Sequence, residues 1–142
     1  MMDAQHIIQD LQAAGERITL PRRAVLDALL SLGGHQTTGS IQAHLAAQGV
    51  ELAEPTIYRV LQWLKDCAVV AQTDLGQSGI TYEILSEPPH HHLVCLGCGH
   101  LIDIDDDYLQ ALRERLQADF GFQPRIEHMA FFGVCAACKS VP

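Results

Sequence analysis

Four of the five cysteines in this 142-residue chain stand in two pairs, Cys95-Leu96-Gly97-Cys98 and Cys135-Ala136-Ala137-Cys138. Two C-x-x-C pairs can close a tetrahedral Zn²⁺ site with four thiolates, the form of a structural metal site. The 36 residues between the pairs exceed the roughly 15–20 of a common zinc ribbon, and they leave room for a helix and two strands. A redox dithiol needs only one C-x-x-C, so the second pair argues for metal. The fifth cysteine, Cys67, reads as a small packed residue.

Histidines give the second set. His90-His91-His92 directly precedes Cys95. Alternate residues of a strand share a face, so His90 and His92 can grip one ion while His91 points away. Glu83 and Asp103 lie on the expected flanking strands and can add oxygen, and His35 stands just before a helix. Mixed imidazole and carboxylate suits Fe²⁺, Mn²⁺ or Zn²⁺. A solvated histidine run is the plain alternative. Asp105-Asp106-Asp107 reads as the acidic first turn of the helix after it, favourable to the helix dipole.

A third set is basic and aromatic. Tyr58, Arg59 and Gln62 can reach base edges and phosphates in a major groove. Arg17, Arg22 and Arg23 can hold the backbone or a minor groove. An ordinary solvated helix face is the plain alternative.

The elements that must carry these residues follow from periodicity and punctuation. Residues 4–14 read as a helix ended by Gly15. Thr19-Leu20-Pro21 opens a second, with Thr19 as N-cap, and Gly33-Gly34 stops it. Thr37 or Thr38 caps a third, which ends near Gly49. Glu54-Pro55 opens a fourth, with Ile57, Val60, Leu61 and Leu64 on one stripe and Tyr58, Arg59 and Gln62 opposite. Residues 69–73 and 80–85 read as strands around a Gly76-Gln77-Ser78-Gly79 turn. Three helices followed by a hairpin is the order of a winged helix-turn-helix. Ser86-Glu87-Pro88-Pro89 breaks the pattern. Beyond it come strands over 92–96 and 101–104, then a helix with Leu109, Leu112, Leu116 and Phe120 on one face. A strand over 125–132 leads into the second C-x-x-C.

Nine basic and seventeen acidic side chains leave a net charge of −8. Residues 1–86 and 87–142 carry −4 each, so a nucleic-acid partner must be met by a local patch rather than by the global field. Apolar residues at 48% permit a core and argue against disorder. No apolar run approaches the roughly 20 residues of a membrane span, and the polar N-terminus is no signal peptide. The expectation is a cytoplasmic chain without a membrane partner.

Several motifs occur together in order: Leu20-Pro21-Arg22, His35, Pro55-Thr56-Ile57-Tyr58-Arg59, Tyr82-Glu83, His90-His91-His92-Leu93-Val94-Cys95, Cys98-Gly99, Gly121-Phe122 and Gly133-Val134-Cys135-Ala136-Ala137-Cys138. On these the chain resembles the ferric uptake regulator family of bacterial metal-dependent repressors, over nearly its whole length. The resemblance implies an α+β homodimer. A winged helix-turn-helix DNA-binding domain over 1–85 and a hinge over 86–90 precede a small α/β dimerisation domain over 91–142 with a four-cysteine zinc site. It implies that Tyr58 and Arg59 contact operator DNA and that Arg17 enters a minor groove. It implies structural zinc on Cys95, Cys98, Cys135 and Cys138. It further implies a regulatory metal on His35, Glu83, His90, His92 and Asp103, bridging the two domains.

The chain departs from the family pattern in two places. Pro89 and Gln110 occupy ligand positions of a further metal site, leaving His91 and His128 as its candidates, and Cys67-Ala68 follows the fourth helix where glycine is usual. The implied function is a metal-responsive repressor of metal-uptake or homeostasis genes, with no small-molecule substrate. An iron-type sensor is favoured because Glu83 matches the iron and manganese sensors and no cysteine joins the regulatory set. Peroxide- and zinc-sensing members are the alternatives. A zinc metalloenzyme finds no H-E-x-x-H and no deaminase signature here. A zinc-ribbon interaction module leaves the arginines and Tyr58 unexplained.

Overall fold

The computed structural model describes residues 3–76, 79–85, 89–126 and 128–139. Gln77 and Ser78 of the expected turn, and Ser86, Glu87 and Pro88 of the expected hinge, lie outside the described residues. Two compact units are present. The first holds the described residues to Gln72 together with Gly79–Leu85, and the second holds Thr73–Gly76 together with the described residues from Pro89 onward. The end of the first wing strand therefore groups with the second unit, which the sequence pattern did not indicate.

The first three helices of the first unit begin where a side chain accepts from their free N–H groups, and the fourth begins at a proline. The α1 helix spans Ala4–Ala13, and the Asp3 carboxylate accepts from the His6 N–H. Thr19 caps α2, Leu20–Leu32, with Pro21 in the first turn. Thr37 and Ser40 form a reciprocal capping box at the start of α3, Thr38–Ala47, which satisfies two orphan donors at once. Pro55 sets the first turn of α4, Glu54–Asp66. The apolar stripes of these helices meet in one core. Val25, Ile41, Ile57, Leu61 and Leu64 are fully enclosed in it, and Tyr82 closes it from the wing. The wing is a two-stranded sheet of β1, Val70–Asp74, and β2, Ile80–Ile84.

A three-stranded sheet in the order β4-β3-β5 forms the second unit. Strand β3, His90–Cys95, runs antiparallel to β4, Leu101–Asp105, and parallel to β5, Ala130–Gly133. The β3 strand starts two residues earlier than the periodicity predicts, because His90 and His91 pair with Asp105 and Ile104. The β5 strand is shorter than expected, beginning at Ala130. A 3₁₀ turn over Asp106–Leu109 leads into α5, Gln110–Phe120, and a short α6, Ala136–Lys139, carries the last cysteine. The expected apolar face of α5 is open to solvent. Leu109 is buried, but Leu112 is 45% and Phe120 77% exposed.

Ala68 sits at φ +59° just after α4. A side chain in the left-handed region costs roughly 1–2 kcal/mol, part of which glycine gives back through its freer unfolded chain. Ala68→Gly is expected to stabilise the first unit by up to about 1 kcal/mol, read as a higher urea midpoint. A fall in the midpoint would show that Ala68 carries no strain.

Candidate metal centre

The four paired cysteines converge in the second unit. Their sulfurs all lie within 4.8 Å of one another, and Cys98 Sγ is 3.7 Å from Cys135 Sγ. A tetrahedral site with Zn–S near 2.3 Å sets sulfurs about 3.8 Å apart, so the donors present fit that ion. Two hydrogen bonds shape the nest. Cys135 N–H and Gly97 N–H both donate to Cys95 Sγ at 3.3 Å. A Cβ on Gly97 would stand 3.0 Å from Cys138 Sγ and 3.3 Å from its Cβ, so a larger residue would have to push α6 a few tenths of an ångström from the knuckle. Sequence reasoning did not single out Gly97, although its place inside the first C-x-x-C was the signal.

Electrostatics divide the thiols. Donation from the Cys135 backbone, then from those of Cys98 and Gly97, lowers the Cys95 thiol to about 6. The surrounding thiols, Cys135 first, push Cys138 up to about 12. Backbone donation therefore favours the thiolate form of Cys95.

The histidine triplet separates by strand parity. His91 is fully buried, and both of its ring nitrogens are occupied. Its Nδ1 accepts from the Met129 N–H at 3.0 Å, so its proton sits on Nε2 and is donated to Asp106 Oδ1 at 2.7 Å. Arg113 grips both oxygens of Asp106 at 2.6 and 2.8 Å and also donates to the Ile126 carbonyl. Arg113, then His91, hold the Asp106 carboxyl below its ordinary value. The network ties β3 to α5 and to the approach of β5. It gives Asp106 and Arg113 a role beyond the acidic first turn read from the sequence.

On the other face, His92 is fully buried opposite Asp103, and its Nδ1 lies 2.6 Å from Asp103 Oδ1. Its Nε2 lies 2.7 Å from Nε2 of His128. The His90 ring stands 4.9 Å from that of His92 and 5.0 Å from that of His128. His128 thus gathers with His90 and His92, and the structure does not bring it together with His91, the other candidate for a further metal site.

Within the first unit, His35 Nε2 lies 2.8 Å from Glu83 Oε2. An antiparallel bridge between Gln36 and Tyr82 fixes this neighbour pair. Along α4, Tyr58 and Arg59 are exposed while Gln62 is half-buried, donating to Gln72 at 3.0 Å and to Tyr82 Oη at 3.4 Å. Arg22 stacks 3.9 Å over the Trp63 ring and donates to the Arg17 carbonyl. Arg23 pairs with Asp27 at 3.0 Å. Of the expected basic contacts, Arg17, Arg23 and Arg59 are exposed, Arg23 within its pair with Asp27, and Arg22 is half-buried.

Because a metal ligand must be a thiolate, zinc uptake by the four-cysteine cluster releases protons. Lowering pH reprotonates Cys95 near 6 and competes with metal, so zinc affinity should fall with pH and most steeply below about 6. A chelator competition run from pH 8 to pH 5 measures it. An affinity independent of pH would contradict thiolate ligation.

The model of the family described as "Ferric uptake regulator family" matches residues 13–132 of the chain. The ferric uptake regulation protein of Shigella flexneri is 30% identical over 127 residues, covering 89% of this chain and 86% of that protein. The crystal structure of the Vibrio cholerae ferric uptake regulator aligns with TM-score 0.65 at 29% identity, over 89% of this chain and 98% of the other. The Pseudomonas aeruginosa ferric uptake regulator, solved with manganese, aligns with TM-score 0.74 at 22% identity, over 90% and 96%, which supports the fold. With its helical unit and wing, its four-cysteine nest and a family match over most of its length, the chain belongs to the ferric uptake regulator family.

Proposed function

We propose that this protein is a homodimeric, metal-responsive repressor that binds operator DNA in the cytoplasm, of the iron type, with Cys95, Cys98, Cys135 and Cys138 holding structural zinc. The observation that carries the reading is the closed cluster of four sulfurs inside one unit. Four sulfurs within 4.8 Å of one another match the donor count of a closed structural site, which keeps no position for a substrate. No helix among the described residues is long and apolar enough to cross a membrane. The iron assignment draws on the Shigella flexneri relative, whose name is ferric uptake regulation protein.

In this reading residues 1–85 form the DNA-binding domain, 86–90 the hinge and 91–142 the dimerisation domain. The regulatory group is His35 and Glu83 of the first, with His90, His92 and Asp103 at the start of the second. These residues would hold a divalent ion, which would supply a shared coordination centre. Ligation by all of them would restrict the angle between the domains. In a dimer this sets the distance between two α4 helices, which must match successive major grooves. Tyr58 and Arg59 then reach base edges, and Arg17 follows the backbone into a minor groove, while Gln62 braces the wing. By linkage, whatever ligation does for DNA affinity, DNA does for metal affinity. Moving the population from 1:99 to 99:1 requires about 5.5 kcal/mol of differential affinity. The exposed Leu112, Phe120, Phe122 and Val134 supply apolar surface for a second copy.

Arg59→Ala is expected to cost roughly 1–3 kcal/mol of operator affinity, read by footprinting on DNA upstream of the protein's own gene. Wild-type affinity in the variant would rule out this docking. His90→Ala should keep zinc, fold and dimer mass but abolish the dependence of DNA binding on added Fe²⁺, Mn²⁺ or Zn²⁺. Cys135→Ser should lose zinc and the dimer. The reverse pattern, seen by light scattering and metal analysis, would interchange the structural and regulatory roles.

A further inference from the structure

We propose that His128 is a ligand of the regulatory metal, joining His92 and the neighbouring His90, while Asp103 and Thr73 anchor the His92 and His128 rings by hydrogen bonds. The inference rests on the regulatory reading above and changes its donor list. Asp103 passes from ligand to anchor, and His128 takes up coordination.

Geometry carries the assignment. Nε2 of His92 and Nε2 of His128 point at one another across 2.7 Å. The three rings meet edge to face rather than stacked, with centroids 4.5 to 5.0 Å apart. Nitrogens bound to one ion at about 2.1 Å stand roughly 3.0–3.4 Å apart, so a movement of about half an ångström converts this contact into coordination.

The far side of each ring supports the same conclusion. His92 Nδ1 is 2.6 Å from Asp103 Oδ1, and His128 Nδ1 is 2.7 Å from Thr73 Oγ1. A metal-bound imidazole characteristically donates its other N–H to a carboxylate, carbonyl or water, which fixes tautomer and ring direction. Asp103 is that carboxylate for His92, and the Thr73 hydroxyl does the same for His128. His91 is unavailable, since Met129 and Asp106 take both of its nitrogens.

The exchange of donors has a consequence for selectivity. Imidazole suits Zn²⁺ and Fe²⁺, whereas carboxylate suits Mn²⁺. A set that gains His128 and loses Asp103 passes from three imidazoles and two carboxylates to four and one, and discriminates against Mn²⁺ more strongly.

The test uses the full-length dimer with its four-cysteine cluster already loaded with zinc, and Co²⁺ as the probe. Wild type should take up a second equivalent, with a ligand-field spectrum of a nitrogen-rich site. His128→Gln should weaken that uptake at least tenfold and alter the spectrum, with zinc content, dimer mass and circular dichroism unchanged. Mn²⁺ should compete for the site better in the variant, relative to Co²⁺, than in wild type. Long-range ¹H–¹⁵N spectra of wild type give a reading independent of any variant, for Nε2 of His128 should shift when Zn²⁺ fills the second site. Co²⁺ affinity and spectrum unchanged in His128→Gln, or an unshifted Nε2, overturns the role of His128 and leaves the regulatory reading standing. Failure of wild type to take a second equivalent overturns both.

Discussion

The parallel register of β3 on β5 sets what both ends of β3 can reach. Cys95 lies opposite Gly133, two residues before Cys135, and His92 lies opposite Ala130, two residues after His128. One pairing therefore delivers the second cysteine pair to the first and an imidazole to the histidine face. Because side chains alternate along a strand, a slip of one residue would turn His91 toward His128 and spoil both sets. The His91–Asp106–Arg113 network guards this register. Met129 N–H reaches His91 while the Met129 carbonyl accepts from His92 N–H at 2.8 Å, so the residue before β5 is held at two points.

Little else holds the second unit. Its buried apolar side chains among the described residues are Leu75, Val94, Cys95 and Leu109, whereas the first unit encloses a core drawn from four helices and the wing. A parallel pairing across some 36 residues carries a loop-closure cost that a core this thin offsets poorly. Ligation of Cys95 and Cys98 to Cys135 and Cys138 closes the same loop covalently, and metal-binding energy becomes folding energy. Association of the exposed apolar face of α5 with a second copy would act in the same direction.

Local signals were legible in the sequence and long-range ones were not. Thr19, Thr37 and Pro55 mark helix starts by capping chemistry that acts within one turn, and each helix begins there. The Ile57-Val60-Leu61-Leu64 stripe is buried as its spacing predicts. Spacing alone also named the four cysteines that now lie together. The position of His128 was out of reach, because it depends on a parallel register between segments about 36 residues apart. The partners of Gln62 and Arg22 were out of reach for the same reason. Their helical faces were read correctly, but the wing residues and Trp63 that engage them come from other parts of the chain.

An acidic chain that reads DNA must gain its affinity from placement. With −8 of net charge, the long-range field repels the duplex, and attraction is confined to a few exposed cations within a Debye length of about 8–10 Å. Arg59 and Arg17 contribute only where geometry brings them to phosphate or base edge, and Arg22 and Arg23 are already engaged within the protein. A strongly basic protein would hold DNA non-specifically in any domain arrangement, which would blunt a conformational switch. In the proposed reading, the weak background lets the distance between two recognition helices decide binding. The bias that ligation places on that distance can therefore appear almost undiluted in operator occupancy.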